Sequence, residues 1–418
     1  VTIAVWKGYH GGDLLKDIRT AWDDEQLLIL CPPLLQDYSF LSALPPGELS
    51  IKGTWAHSET GALQSVRRQG EPLGFKPVLG VFTSGTLSSS PRLVLYSKEN
   101  LLAALKGIFA LFDKSRIKHV FCYPQAFHTF GLTLGYLASH IYDWRLHTPH
   151  GKYQRAAHHD RLALKETNVL TLGTPTHFYD LLQVMEEGRE SIMPSYTCIM
   201  GGAGVSRNLW CAVRERLKVE APSIGYGCTE ASPGISHLAP GTEPTEDDEI
   251  GRPLTSLNSA LGPEGVTIDG PSLCQAIIQD GQLQKPHRLI IRDRILTKPD
   301  ASWVYGGRLD LTLNRGGQKF SLEAIEKRLH EELNVGVVAS AVRDTRLGED
   351  LGLAVVAGHT RPRDEIISSA QNILLREFAL KLSPGRVLFL NDFPLNECSK
   401  LDRRATKMRF GADLENTD

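Results

Sequence analysis

The chain has 418 residues, 41% of them hydrophobic and 22% charged, with a formal net charge of -2. That length exceeds what one compact core supports and implies two or more domains. Near-neutrality removes any general electrostatic case for nucleic acid or an anionic membrane surface as a partner.

Leu27-Leu28-Ile29-Leu30-Cys31 reads as a short apolar strand closed by Pro32-Pro33. Val78 to Phe82 predicts a second strand, which runs into the polar stretch Thr83-Ser84-Gly85-Thr86-Leu87-Ser88-Ser89-Ser90-Pro91-Arg92. Ser97 is placed to cap a helix that carries Leu101, Leu105, Ile108 and Phe112 on one face. Strand and helix signals then alternate. Val120 to Tyr123 precedes a helix from Gly131 to His140, and Asn168 to Leu172 precedes one from His177 to Met185. Thr197 to Met200 leads through a Gly-rich turn into an amphipathic helix ending near Leu217. This alternation predicts an α/β class, with layered sheets and helices in a large N-terminal domain. Strands entering helices through short Gly, Ser or Thr loops suit phosphate and nucleotide binding.

Pro240 to Asp248 is acidic and rich in Pro and Thr, as a solvated loop is. A sharper break falls at Gly306-Gly307-Arg308-Leu309-Asp310. Beyond it Leu322, Ile325 and Leu329 line one helix face, Val335 to Val342 and Leu353 to Ala357 read as strands, and Ile366 to Phe378 as a helix. The expected division is a domain over 1–309 and a small α+β domain over 310–418.

No apolar run reaches the roughly 20 residues of a membrane helix, and the opening Val1-Thr2-Ile3-Ala4-Val5-Trp6 lacks a signal-peptide layout. The seven scattered cysteines show no zinc-ligand or redox spacing. The expectation is a cytoplasmic chain with free thiols and no nucleic-acid or membrane partner. Four histidines, His147, His150, His158 and His159, cluster without Cys partners or helical spacing and are expected in a surface loop.

Several segments combine residue types that handle anions and nucleotides. Small residues over 83–90 allow backbone N–H groups and hydroxyls to converge on an anion, although a Ser-rich surface loop has the same composition. The stretch lacks the GxxxxGK[S/T] spacing of an NTPase P-loop. Read singly, the other residues are equally open. Tyr226 can be a buried turn aromatic, Glu230 a solvated loop acid, His128 a structural histidine, and Asp293 or Lys400 a surface charge.

Taken together the segments resemble a known family. Phe82 to Arg92 is similar to the phosphate loop of the adenylate-forming superfamily of acyl-CoA synthetases, peptide-synthetase adenylation domains and luciferases. Ala126-Phe127-His128-Thr129-Phe130-Gly131, Gly201-Gly202-Ala203-Gly204, Gly225-Tyr226-Gly227-Cys228-Thr229-Glu230, Gly307-Arg308-Leu309-Asp310 and Pro394 to Lys400 resemble its further motifs, in the family's order. The similarity runs over roughly residues 75–405. The resemblance implies an ATP-dependent ligase that converts a carboxylic acid to an acyl-AMP and passes the acyl group to a thiol.

Carried over residue by residue, the resemblance assigns Lys400, Glu230 and His128 to catalysis. Lys400 would offset charge at the α-phosphate, Glu230 would hold Mg²⁺, and His128 would lie beside the acyl carboxylate. Thr83, Ser84, Gly85, Thr86 and Arg92 would cradle phosphates. Gly202, Ala203, Gly225, Tyr226 and Thr229 would line the nucleotide, with the Tyr226 ring against adenine. Asp293 would bind ribose, Arg308 the phosphates, and Asp310 would be the hinge of a mobile C-terminal domain. Gly317 would let the pantetheine arm of CoA pass. The implied cofactors are ATP, Mg²⁺ and CoA, the latter as co-substrate; a homodimer is admitted. The acid pocket would draw on His128, Thr176, His177 and the 201–204 turn.

The chain departs from the pattern in two places. The phosphate loop is one residue longer, with Leu87-Ser88 for Thr-Gly and Arg92 for Lys, which keeps the charge and changes the geometry. The region ahead of it is shorter than in most relatives, so the first subdomain is expected to be reduced. The leading expectation is an acyl- or aryl-CoA ligase, since no carrier domain follows residue 418, with the Gly316-Gly317-Gln318 loop most similar to o-succinylbenzoate–CoA ligases. An enzyme that loads a separate carrier protein and a non-catalytic nucleotide- or acyl-binding protein are the alternatives.

Overall fold

The structure, a computed structural model, describes residues 2–9, 11, 13–45, 48–55, 59–60, 73–84, 91–188, 192–356, 362–397 and 400–414. The strands begin with β1 (Ile3–Lys7), β2 (Leu27–Cys31), β3 (Leu49–Gly53), β4 (Leu79–Ser84) and β5 (Pro91–Tyr96). Then come β6 (His119–Cys122), β7 (Arg145–His147), β8 (Val169–Gly173), β9 (Ser195–Gly201), β10 (Val219–Gly227), β11 (Gly234–Leu238) and β12 (Glu249–Pro253). A run of short strands follows: β13 (Asn258–Gly262), β14 (Gly265–Asp269), β15 (Ala276–Gln279), β16 (Gln282–Gln284), β17 (Leu289–Ile291), β18 (Asp293–Thr297) and β19 (Trp303–Arg308).

The chain divides into two compact units, Val1–Ile291 with Ile295–Tyr305, and Arg292–Arg294 with Gly306–Asp418. The second unit therefore takes in a three-residue excursion at Asp293 and begins at Gly306, four residues ahead of the break expected at 310.

In the first unit, β4, β2, β1 and β3 run parallel in that order, and β5 returns antiparallel to β4. β1 and β2 are buried at every residue, which is why they read as unbroken apolar runs rather than alternating ones. The second sheet has the order β18-β19-β12-β11-β10-β9-β8-β6-β7, with β6 to β10 parallel and β11 antiparallel to β10. β15 joins the first sheet beside β5, and β13, β14 and β17 form a small third sheet.

Helices α1 (Leu14–Asp23), α2 (Lys98–Phe109), α3 (Ala157–Ala163), α4 (Pro175–Gly188) and α5 (Arg207–Glu215) cover these sheets. Ser97 and Asn100 form a reciprocal capping box at the start of α2: the Asn100 N–H donates to Ser97 Oγ and the Ser97 N–H to Asn100 Oδ1. The segment expected as an α-helix over 131–140 is a π-helix, Phe130–Leu137, followed by the α-turn Ala138–Ile141. A Cβ at Gly131 would stand 2.2 Å from Pro124 O, and one at Gly135 2.5 Å from Cys122 Sγ. The helix can lie this close to β6 because those positions carry no side chain. Among the described residues no helix is long and apolar enough to cross a membrane.

The second unit has β20 (Thr312–Arg315), β21 (Gln318–Ser321), β22 (Gly336–Asp344) and β23 (Gly348–Val356) in the order β21-β20-β23-β22, with β24 (Val387–Phe389) parallel to β23. Helix α6 (Leu322–Leu333) buries Leu322, Ile325, Leu329 and Leu333, and Ser321 Oγ caps it by accepting from the Ala324 N–H. Four such side chains contribute about 1.5–3 kcal/mol each. Helices α7 (Arg363–Phe378) and α8 (Arg403–Leu414) complete the unit.

Candidate active site

The β4–β5 hairpin of the first sheet meets the β10–β11 turn of the second. Thr83 pairs with Arg92 and Ser84 with Pro91, so the two ends of the 83–92 segment are fixed in register. Gly85 and Thr86 lie outside the described residues. Glu230 sits in the single 3-10 turn Thr229–Ala231 after β10 and is 6% exposed. Its Oε1 lies 2.8 Å from Arg92 Nη2. A buried carboxylate needs such a partner, because desolvating a lone charge costs several kcal/mol.

The main chain of this turn is held separately. Tyr96 donates its hydroxyl to Thr229 O at 2.7 Å, and the Cys274 N–H donates to Glu230 O at 2.8 Å. Burial pushes the Tyr96 hydroxyl well above its ordinary pKa, so it stays a donor. Gly227 is required here, since a Cβ would fall 1.6 Å from Pro233 O. Among the described residues no group of three His, Cys, Asp or Glu side chains forms a metal cage. The donor present, one carboxylate, fits the way magnesium is held when a ligand's phosphates supply further oxygens.

Beside this turn, Gly225 pairs with Gly201 across β10 and β9, and a Cβ on Gly201 would approach Gly225 O to 2.8 Å. Gly202 has φ +84° and is exposed with Ala203, so the 201–204 turn presents bare backbone. The half-buried Tyr226 ring lies 5.9 Å from that of Tyr305 at 42°.

A polar aromatic cluster stands next to the Gly202 turn. Thr174 Cγ2 would be 3.5 Å from a Cβ at Gly202. His177 Nδ1 accepts from the Thr174 N–H at 3.0 Å and its hydroxyl at 2.8 Å, so the imidazole proton is on Nε2. The His177 ring stacks on Tyr123 at 5.0 Å and 14°. His128, half-buried, packs its ring 4.6 Å from Phe127 and donates its N–H to Gln125 O.

His158 corrects the expectation of a surface loop. It is fully buried, with Nδ1 2.9 Å from the Tyr123 hydroxyl and Nε2 2.7 Å from that of Tyr153. Tyr153 donates its only hydroxyl proton to Asp180 Oδ2 at 2.6 Å. It must therefore accept from His158 Nε2–H, which leaves Nδ1 to accept from Tyr123. Burial pushes the His158 pKa down to about 4. His147 is half-buried in β7 and stacks on His119, His150 is exposed as expected, and His159 is exposed but on helix α3 rather than in a loop. Helix α3 had no usable signal, because Ala157 and Leu162 are too few apolar positions to mark a buried face.

The remaining candidates belong to the second unit. Asp293 is 7% exposed rather than on the surface, and its Oδ1 lies 3.6 Å from Arg308 Nη1. Arg308 grips Asp310 bidentately, Nε to Oδ1 at 2.7 Å and Nη2 to Oδ2 at 2.6 Å, and its N–H donates to Glu323 Oε2 at 2.7 Å. Gly317 has φ +88° and its missing Cβ would meet nothing within 4 Å. Lys400 is exposed, with its N–H donated to Asn396 Oδ1. Glu230, Arg92 and Thr229 thus come together in one unit, while Asp293 and Arg308 come together in the other. Tyr96 and Cys274, which pin the Glu230 turn, were not foreseen; nothing in their local sequence marks them.

Residues 43–261 match the family described as "AMP-binding enzyme". This chain belongs to that family. Among AMP-binding relatives, the acyl-CoA ligase SID4 of Ajellomyces capsulatus is 25% identical over 340 residues, which cover 73% of this chain and 56% of SID4. The chain spans little more than half the length of the curated relatives it matches. The o-succinylbenzoate CoA synthetase MenE of Bacillus subtilis, in complex with the acyl-adenylate intermediate OSB-AMP, superposes with a TM-score of 0.75 at 17% identity, over 97% of this chain and 88% of MenE. The MenE complex with ATP and a magnesium ion gives a TM-score of 0.74 at 15% identity, over 96% and 88% of the two chains. These likenesses establish the α/β fold of the AMP-binding enzymes for this chain.

Proposed function

We propose that this chain activates a carboxylic acid with ATP, forming an acyl-adenylate and pyrophosphate, and then transfers the acyl group to the thiol of CoA. The observation that carries this reading is the pairing of buried Glu230 with half-buried Arg92 at the mouth of the β4–β5 hairpin, in a chain of the AMP-binding family. A cation and a carboxylate poised together at the base of a small-residue loop suit a nucleotide's phosphates and the divalent ion that accompanies them. That ion, when bound, would neutralise phosphate charge.

In this reading Thr83, Ser84, Gly85, Thr86 and Arg92 receive phosphate oxygens, and Tyr226 packs on adenine beside the bare backbone of Gly225, Gly202 and Ala203. Thr229 and Glu230 close the phosphate side. Asp293 accepts from ribose hydroxyls, and Arg308 supplies its fork to phosphate. The substrate carboxylate, held near His128, attacks the α-phosphate; the bond to the β-phosphate oxygen breaks and pyrophosphate leaves. Lys400 offsets the charge that develops in this step. The small domain then turns about Asp310, bringing the Gly317 loop to the thiol's path, so one pocket serves both half-reactions. The thiol sulfur attacks the acyl carbon and AMP departs.

The half-buried His177 beside the exposed residues of the 201–204 turn suits an aromatic or carboxylate-bearing acid, and o-succinylbenzoate is the first to test. Acid- and Mg²⁺-dependent exchange of pyrophosphate into ATP tests activation. Product formation with CoA, with a carrier protein, or with neither separates the acceptors. Nucleotide binding without exchange across a broad acid panel would overturn the reading.

A further inference from the structure

Lys400 is exposed on a long, flexible side chain, so its usefulness depends on where its loop points. The described residues on either side of it bond to one another. The Asp402 N–H donates to Pro394 O at 2.8 Å, Leu395 bridges Leu401, and Asn396 and Lys400 exchange two hydrogen bonds. Beneath the loop lies a groove of about 470 Å³ lined by Glu323, Glu326, Val338, Phe393, Leu401 and Arg403. Phe393 and Leu401 pack against the cluster of Val338, Val342, Ala354 and Phe410 on one side of this groove, and nonpolar packing of this kind sets distance more than direction.

An ion pair spans the groove at the loop's end. Arg403, the first residue of α8, places Nη1 and Nη2 2.5 and 2.6 Å from Oε1 and Oε2 of Glu326 on α6. Both side chains are largely covered, at 23% and 14% exposure. Glu326 Oε1 also accepts the Ala339 N–H at 2.7 Å, which ties the pair to β22. A bidentate, charge-assisted pair fixes direction as well as distance. One turn earlier on α6, Glu323 accepts the Arg308 N–H. Positions three apart share a helix face, so one face of α6 holds the 307–310 segment and the lysine loop together.

We propose that Glu326 is a positioning residue for the first half-reaction: through Arg403 it aims the Lys400 loop, with α6 as the strut linking that loop to the 307–310 segment. This rests on the acid-activation reading given above. The body of α8 has its own anchor, because Phe410 packs with Val338, Val342 and Ala354, and Thr406 is fully buried. Losing the clamp therefore removes the loop's directional polar tie while its apolar contacts and the helix stay in place.

The test is Glu326→Gln, which keeps the side-chain shape and an acceptor for Ala339 while removing the charge. Acid-dependent pyrophosphate exchange should fall about tenfold or more, the scale of a small misplacement of a reacting group. Thioester formation from pre-made acyl-AMP and CoA should stay within about twofold, with a Tm shift under ~4 °C. Amide hydrogen exchange at Lys400 and Asp402 should quicken, and the swap Glu326→Arg with Arg403→Glu should recover part of the lost exchange. Undiminished pyrophosphate exchange in Glu326→Gln, or equal loss of both half-reactions with a large fall in Tm, overturns the proposal. If the unaltered protein activates no acid, the reading above fails instead. Amide exchange then decides alone: unchanged protection at 400 and 402 removes the clamp, and quickened exchange keeps it.

Discussion

Arg92 sets its Nη2 2.8 Å from Oε1 of Glu230, a carboxylate only 6% exposed. Two consequences differ in kind. Glu230→Gln keeps the shape and removes the charge, so Mg·ATP use should weaken more than AMP binding; equal weakening of both in titrations would make Glu230 a structural acid. Arg92→Ala strands the carboxylate, and stability should fall by about 2–4 kcal/mol, near the range for breaking a buried pair. The double variant Arg92→Ala with Glu230→Gln should recover part of that loss in urea unfolding.

Lys400 and Gly317 should separate the half-reactions. Lys400→Ala is expected to lower adenylation by roughly two or more orders of magnitude, the scale of losing one charge-stabilising donor, while thioester formation from pre-made acyl-AMP survives. Gly317→Leu should do the reverse. At φ +88° any branched or bulky residue is strained by about 1–2 kcal/mol, so Gly317→Asn, which tolerates this region, measures the strain apart from the blocked path. Single-turnover assays of each step that show both lost together in folded Lys400→Ala would remove the domain rotation about Asp310.

The Tyr123–His158–Tyr153–Asp180 chain has a pH signature. Burial lowers the His158 pKa to about 4 and that of His237 to about 3, against an ordinary 6.5. Between these values the unfolded chain binds protons that the folded chain refuses. Stability is therefore full above about 6.5 and is lost as pH falls toward 4, by up to ~1.4 kcal/mol per pH unit for each histidine. His158→Phe should flatten this slope by one proton. It should also cost about 1–3 kcal/mol at neutral pH, because Tyr153 loses the donor that approaches it from His158. Urea midpoints measured from pH 4 to 8 for both proteins check this.

Gly227→Ala is expected to disturb the Glu230 turn more than any other single methyl. Its Cβ would need the space of Pro233 O, 1.6 Å away, and backbone must move to make room. Nucleotide-induced thermal stabilisation should be lost before the overall fold is, which thermal unfolding with and without Mg·ATP would reveal.

Much of the fold could be read from local pattern. β2 and β8 announce themselves as apolar runs because both of their faces are covered, and α6 by the spacing of Leu322, Ile325 and Leu329. The short strands β13 to β17 carry exposed residues such as Leu261 and Ile290 and show no clean period. The proximity of Arg92 and Glu230 shows in no local pattern, since it arises where two separate sheets meet; only the family resemblance put both at one site. His158 looked solvated because its neighbours His159 and Asp160 are exposed; its burial comes from Tyr123 and Tyr153 closing over it. The π-helix at Phe130–Leu137 went unread for a related reason, as Gly131 and Gly135 answer to Pro124 and Cys122 rather than to their own helix.

The antiparallel register of Thr83 with Arg92 and Ser84 with Pro91 leaves six residues between two fixed posts. Loop closure grows only with the logarithm of length, so a seventh residue would cost about 0.1 kcal/mol. Length at this position is thus nearly neutral for stability. Insertions and deletions can accumulate there and be sampled by selection, or by a designed library, without disturbing the posts or the carboxylate that Arg92 holds. On the proposed function, a lineage can in this way retune its grip on a nucleotide by changing the number of residues between these posts.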